Sequence, residues 1–131
     1  MNRTILITAA ILGIIAIVLG AFAAHGLKES LSVEAQQTFE TGVRYQMYHA
    51  ILLLFVGGTS ALTDKSKTII YYLVLVGLVF FSGSIYGLST IAITGINFKT
   101  IGFITPIGGL LLISAWTVIL MGFLKGKQDN S

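Results

Sequence analysis

The sequence predicts an all-α membrane protein in which four transmembrane helices form an antiparallel bundle. Of its 131 residues, 55% are hydrophobic and only 10% are charged, against about 25% charged residues in a soluble domain. The apolar residues fall into four runs; the second is shorter, and the other three are near the roughly 20 residues that a helix needs to cross a bilayer. The runs are too long for strands and lack the alternation of a membrane barrel, so helices must satisfy the backbone inside lipid.

The same composition excludes several classes of protein. So few charges cannot cover a water-facing surface, which excludes a soluble enzyme, a disordered tail and a nucleic-acid-binding module. The net charge of +3 rests on eight Lys and Arg residues, which we interpret as charges that flank membrane spans. The chain has no cysteine, which excludes disulfides, thiolate catalysis and cysteine-ligated metal sites.

The first span is predicted at about residues 4–25, because no charged residue lies between Arg3 and Lys28. Gly26 follows this run and is predicted to close the helix in the left-handed conformation. Arg3, the apolar core and the Ala21–Ala23 segment also resemble a signal peptide with its cleavage site. We expect the chain to retain this segment as a span.

The second helix is predicted over residues 33–62, with Ser32 as its N-cap. About 30 residues at 1.5 Å each reach roughly 45 Å, which exceeds the bilayer core. The first turns should therefore form an amphipathic outer segment, whose apolar stripe contains Ala35, Phe39, Val43 and Met47.

The third and fourth spans are predicted at about 69–92 and 105–124. Thr105 and Pro106 favour a helix start, since proline at the first helical position loses no hydrogen bond. The polar connection over residues 63–68 is short, so the second and third helices should be antiparallel neighbours. No repeat or domain boundary is visible, and the chain is predicted to be one domain over residues 1–131.

The distribution of basic residues predicts the orientation. Cytoplasmic loops carry the excess of Lys and Arg, and the four predicted spans divide these residues five to three. One side has Arg3, Lys65, Lys67, Lys125 and Lys127, and the other has Lys28, Arg44 and Lys99. The sequence therefore predicts a multi-pass plasma-membrane protein with both termini in the cytoplasm.

Small residues recur at helical spacing in the spans, where they permit close contact between helices. An alternative interpretation is that a ligand or ion path is lined by Ser82, Ser84 and Tyr86, beside Gly83. The predicted packing positions include Gly13, Gly20, Gly83, Gly87, Gly108 and Ala115.

Four sequence blocks resemble one known family. They are GAFAAHGL over residues 20–27, RYQMYHA over 44–50, FSGSIY over 81–86 and TPIGG over 105–109, with Trp116 after the last. In this order and spacing they resemble the small bacterial membrane proteins of domain-of-unknown-function family 423, also called uncharacterised protein family 0382. The resemblance implies a multi-pass plasma-membrane protein and supplies no activity.

A cluster of polar residues is predicted at the outer face, where the first span ends and the second begins. Glu40 and Arg44 are spaced as a favourable helical ion pair. Ionisable groups near membrane depth are functional candidates, while interface anchoring is the structural alternative. The candidate cluster is His25, Glu40, Arg44, Tyr45, Tyr48 and His49.

Three classes of function are compatible with these residues. The favoured one is a structural or interaction component of the membrane without turnover, with no catalytic residue, metal or cofactor. Its partners would be membrane lipid and no nucleic acid, with homo-oligomerisation and any small ligand left open. The second class is a small transporter or proton-linked conduit that uses His25, Glu40, Arg44 and His49. The third is a haem protein with His25 and His49 as ligands. No Ser–His–Asp or HExxH pattern supports a hydrolase.

Overall fold

The computed structural model describes residues 1–91, 95 and 102–129, and all regular structure in this part of the chain is helical. This confirms the all-α class. We label the helices α1 (Asn2–His25), α2 (Val33–Gly58), α3 (Asp64–Ser89) and α4 (Ile104–Asp129). Helix α3 is α-helical over Asp64–Leu78, π-helical over Val79–Gly83 and α-helical again over Ser84–Ser89.

Side-chain caps set the start of two helices. The Ser32 hydroxyl oxygen accepts a hydrogen bond from the Ala35 amide at 3.1 Å, which confirms the predicted N-cap of α2. Thr63 caps α3 in the same way, accepting from the Ser66 amide at 3.1 Å. This cap starts α3 at Asp64, ahead of the apolar run, because helix ends follow local hydrogen bonding as well as hydropathy.

The left-handed conformation predicted for Gly26 is wrong. Its φ of −78° and ψ of −33° are right-handed, so a positive φ is not the reason for glycine here. A Cβ at this position would lie 2.7 Å from Cε2 of Phe22. The glycine therefore makes room for the Phe22 ring at the end of α1.

Three helices are long and apolar enough to cross a membrane: Asn2–His25, Asp64–Ser89 and Ile104–Gly126. Helix α2 is not among them. It is of similar length, but Arg44, Gln46 and His49 place polar side chains along its middle and lower its hydropathy.

Helices α1 and α2 pack side by side and run in opposite directions. Near one end, a Cβ on Gly57 of α2 would lie 2.9 Å from the Leu6 side chain of α1. Near the other end, a Cβ on Gly20 would lie 3.5 Å from Cγ1 of Val43. The contacts advance along α1 as they go back along α2, so each helix accompanies the other over most of its length.

Helices α3 and α4 also pair in opposite directions, at closer range. A Cβ on Gly77 would lie 2.8 Å from Cδ2 of Leu112, and a Cβ on Gly108 would collide with the backbone nitrogen of Phe81. The α3–α4 contact is therefore one between backbones. Helix α2 completes the arrangement by contacting the second half of α3.

Two apolar clusters hold the helices together. The smaller one, at the end of α1, contains the buried residues Leu27, Leu31 and Phe39, with Ala35 and Val43 packed against it. Three residues of the predicted apolar stripe thus do pack against the α1–α2 connection. The larger cluster joins all four helices and includes Ile5, Leu53, Val56, Ile70, Val74, Leu112, Ala115 and Ile119.

Candidate functional site

The polar groups buried among these helices are the candidates for function, since a buried polar group needs a partner. Two of them lie in α2, and the other four lie in α3. The buried polar residues are Gln46, His49, Lys67, Ser82, Ser84 and Ser89.

The Gln46 amide joins three helices. Its Nε2 donates to the carbonyl oxygen of Leu12 in α1 at 2.9 Å, and its Oε1 accepts from the Tyr86 hydroxyl in α3 at 2.7 Å. An amide has both donors and an acceptor, so one side chain of α2 binds its two neighbours at once. Gln46 is 5% exposed.

The π-helical turn of α3 contacts α2 directly beside this amide. Ser82 lies in the turn, and its hydroxyl donates to the carbonyl oxygen of Gly42 at 2.8 Å. Gly42 has no side chain to hinder the approach, whereas a Cβ there would lie 2.7 Å from Cε1 of Tyr86. Turns of this kind inside α-helices are frequent at functional sites.

A groove of about 280 Å³ opens over the same residues. Gln46, Ser82 and Tyr86 supply its polar lining, and Leu12 and Val79 are among its apolar walls. The cavity thus lies beside Ser82 and Tyr86, two of the residues that the sequence analysis considered for a ligand or ion path. Both hydroxyls, however, already hydrogen-bond to α2.

His49 connects α2 to α4. Trp116 donates its indole Nε1 proton to Nε2 of His49 at 3.2 Å, and Nδ1 of His49 lies 2.7 Å from the carbonyl oxygen of Tyr45. Because an indole nitrogen can only donate, Nε2 must be the acceptor and Nδ1 must hold the ring proton. In this geometry the His49 ring is neutral and uses both nitrogens.

The predicted outer cluster is only partly brought together. Tyr45 stacks on His49 with 6.4 Å between ring centroids and contacts the Tyr48 ring at 5.7 Å. Of these three residues, His49 is buried and the two tyrosines are exposed. They form an aromatic patch along α2, which the i, i+3 and i, i+4 spacing explains.

The remaining members of that cluster do not join the patch. His25, Glu40 and Arg44 are all exposed. Within residues 1–91, 95 and 102–129, the structure has no ion pair between Glu40 and Arg44. The helical spacing permits this pair, but an exposed pair gains little because water screens it and holding two long side chains costs entropy.

The histidine pair does not fit a shared iron. His49 lies level with about residue 14 of α1, judged from the Leu6–Gly57 and Gly20–Val43 contacts. His25 is then roughly 16 Å away along the helix axis at 1.5 Å per residue, whereas two axial ligands bind one haem iron from opposite faces. The described residues contain no group of three His, Cys, Asp or Glu side chains that could hold a metal ion.

The predicted packing positions differ in what they contact. Ala115 is fully buried in the larger cluster, and Gly108 touches the backbone of α3. Gly20 lies at ordinary contact distance from Val43. These three positions are at helix–helix contacts.

Other small residues face open space or are half-buried. A Cβ on Gly13 or Gly83 would meet no atom within 4 Å among the described residues of other elements, and Gly87 is half-buried. Among the described residues, no contact with another helix therefore supports the packing role predicted for Gly13 and Gly83. Glycine spacing marks a helix face, but the partner of that face depends on the tertiary arrangement.

Lys67 is a buried residue that sequence reasoning placed among the exposed flanking charges. It is 3% exposed. Its Nζ donates to the carbonyl oxygen of Thr59 at 2.6 Å and to Oδ1 of Asn2 at 3.1 Å. Lys67 in α3 thus holds the start of α1 and the C-cap of α2, and it does so through uncharged oxygens.

Two further contact residues, Gln46 and Trp116, entered the sequence analysis only within quoted blocks. A signal was available for Gln46, because a polar side chain beside apolar residues in a span is a functional candidate. For Trp116 no such signal exists, since indole side chains are common at membrane surfaces.

Comparison with known proteins identifies a family of relatives. A family model described as "Protein of unknown function (DUF423)" matches residues 19–109. The chain belongs to this family. The DUF423 match runs from the end of α1 to the first turns of α4, and it includes Gln46, His49, Ser82 and Tyr86.

Relatives named UPF0382 membrane proteins match between 81% and 98% of the chain. A UPF0382 membrane protein of Staphylococcus saprophyticus is 39% identical over 94% of this chain and 98% of its own length. A UPF0382 membrane protein of Staphylococcus haemolyticus is 42% identical over 81% of this chain and 83% of its own length. The UPF0382 inner membrane protein YgdD of Escherichia coli is 31% identical over 98% of this chain and 95% of its own length. The chain is therefore a membrane protein. No solved structure matches it.

Proposed function

We propose that this protein is a structural or interaction component of the plasma membrane that works without turnover of a substrate. One observation carries the proposal: the buried polar side chains are engaged in contacts within the chain. No buried side-chain nitrogen or oxygen of the described residues lacks a hydrogen-bond partner. Gln46, His49 and Lys67 each connect different helices, so their polarity supports assembly, and none of these three side chains is left as an unbonded base or nucleophile.

We further propose that α2 is a fourth span, which completes an antiparallel four-helix bundle. Helix α1 is apolar enough to cross the membrane, and α2 accompanies it from the Gly20–Val43 contact to the Leu6–Gly57 contact. Gln46 and His49 of α2 have internal partners. Arg44 is exposed, and its long side chain can extend from within the bilayer to the interface.

The proposed orientation places both termini in the cytoplasm, following the five-to-three division of Lys and Arg. The chain has no native cysteine, so single cysteines report topology without background. Ser60 and Glu29 are both exposed and lie in connections at opposite ends of α2. In intact cells we expect Glu29→Cys to react with a membrane-impermeant maleimide and Ser60→Cys to react only after permeabilisation. The opposite labelling would invert the orientation, and labelling of both from outside would remove α2 as a span.

The absence of turnover is tested against the strongest alternative, a proton-linked conduit. We expect liposomes that contain the purified protein and an internal pH-sensitive dye to lose an imposed pH gradient as slowly as empty liposomes. The Glu40→Gln and Arg44→Gln variants should behave the same. A faster decay that these two variants abolish would contradict the proposal and assign the exposed pair to a conduit.

The proposed partner is membrane lipid, and purification in mild detergent tests this together with the haem alternative. Native mass spectrometry should show the polypeptide mass plus retained phospholipid. It also gives the subunit number, which decides whether a second copy of the chain is a further partner. Haem bound in a ratio of one per chain, and lost in His49→Ala, would contradict the proposal.

A further inference from the structure

A second groove lies at the end of the helix pair α3–α4 and is separate from the polar network around Gln46. It has a volume of about 380 Å³. Lys65 and Lys125 line it together with the Ser66 hydroxyl, while Ile69 and Val118 form part of its apolar wall. Two cations and a hydrocarbon surface thus share one cavity.

The two lysines are available to a ligand. Both are exposed, and within the described residues neither has an ion pair or a side-chain hydrogen bond. The residues that line the groove include no Asp or Glu. Lys65 also lies in the first turn of α3, where the helix dipole adds positive potential.

The position of the groove relative to the membrane points to the chemistry of its ligand. Helices α3 and α4 are apolar enough to cross a bilayer, and the lysines lie at the start of α3 and near the end of α4. This is the level at which lipid headgroups lie. Ile69 and Val118 are one to two turns further into the membrane, at the level of acyl chains.

We propose that this groove binds an anionic phospholipid, with the phosphate between Lys65 and Lys125 and an acyl chain against Ile69 and Val118. Basic pockets between transmembrane helices bind anionic headgroups. The proposal depends only on α3 and α4 as membrane helices. It does not depend on the orientation, on α2 as a span or on the absence of turnover.

The test measures lipid binding to the full chain in detergent by native mass spectrometry, with phosphatidylglycerol and phosphatidylcholine of equal chain length added in turn. We expect preferential binding of phosphatidylglycerol. Each lysine near a membrane surface contributes about five-fold in affinity for anionic lipid, so Lys65→Gln/Lys125→Gln should weaken phosphatidylglycerol binding by about 25-fold. Lys65→Arg/Lys125→Arg should retain binding, because the charges remain.

The matched controls separate the groove from general attraction and from free phosphate. Arg3→Gln removes an exposed positive charge near the same end of the bundle, outside the groove, and should leave phosphatidylglycerol binding within two-fold. Inorganic phosphate added at millimolar concentration should not displace the lipid. Equal loss per charge in Arg3→Gln, equal binding of phosphatidylcholine, or displacement by inorganic phosphate would each overturn the assignment.

Discussion

Replacing Lys67 with glutamate is expected to destabilise the protein severely, while the same replacement at Lys65 is expected to be nearly neutral. Lys67 is buried and donates to the Thr59 carbonyl and to Oδ1 of Asn2. A carboxylate there would be a buried, unpaired charge that faces two acceptor oxygens and the negative end of α2. A buried charge without a partner costs about 3–5 kcal/mol.

Lys65 provides the matched control because it lies in the same turn of α3, changes the net charge equally and is exposed. Surface substitutions of this kind usually stay within about 0.5 kcal/mol. The free energy of unfolding, measured by titrating the purified variants with a denaturing detergent, should therefore fall far more for Lys67→Glu. If Lys67→Glu does not fold at all, Lys67→Gln and Lys67→Ala supply the comparison. The glutamine amide can still donate a hydrogen bond, so Lys67→Gln should lose less stability than Lys67→Ala. Equal effects at the two lysines would show that Lys67 is not buried.

Lys67 also shows where sequence reasoning about charges stops. The rule that Lys and Arg flank spans treats Lys65 and Lys67 alike. Residues two apart on a helix point in different directions, so one faces the groove and the other faces α1. Which direction is the interior depends on where the neighbouring helices pack, and that information is not local to the sequence.

The helices themselves were largely predictable because the length of an apolar run and the chemistry of its caps are local properties. Ser32 and its hydrogen bond to Ala35 are an example. The end of α2 was less predictable: the sequence predicted a helix up to residue 62, while the helix ends at Gly58. Thr59 is its C-cap, and its carbonyl is held by Lys67 of the next helix, so a tertiary contact accompanies the boundary.

The sequence indicated which types of residue form the candidate site, but it was a weaker guide to which of these residues contact one another. Ionisable residues drew attention to the end of α1 and the start of α2, but Glu40 and Arg44 lie at the surface. Beside them, α2 instead contacts its neighbours through neutral groups, namely the Gln46 amide and the Ser82 and Tyr86 hydroxyls, while the charged Lys67 makes its contacts at the helix ends. Neutral groups cost less to bury than charges when hydrogen-bonded, so a helix bundle can use them without an ion pair.

The second large effect is expected from Gly108→Ala, and its sign distinguishes a contact glycine from a free one. A Cβ on Gly108 would collide with the backbone nitrogen of Phe81 and lie 2.8 Å from the carbonyl oxygen of Gly77. Backbone atoms cannot rotate away as a side chain can, so α3 and α4 must separate. We expect the free energy of unfolding to fall by about 1–3 kcal/mol, the usual cost of overpacking.

Gly13→Ala is the control with the opposite expectation. A Cβ there meets no described atom of another element within 4 Å, so only the backbone effect remains. Alanine in place of a mid-helix glycine should then stabilise α1 by about 0.5–1 kcal/mol. Detergent-titration unfolding of the two purified variants measures both changes on one scale. If Gly108→Ala stabilises the protein, α3 and α4 do not meet at Gly108. If Gly13→Ala destabilises it as much as Gly108→Ala does, α1 is packed against a neighbour at Gly13.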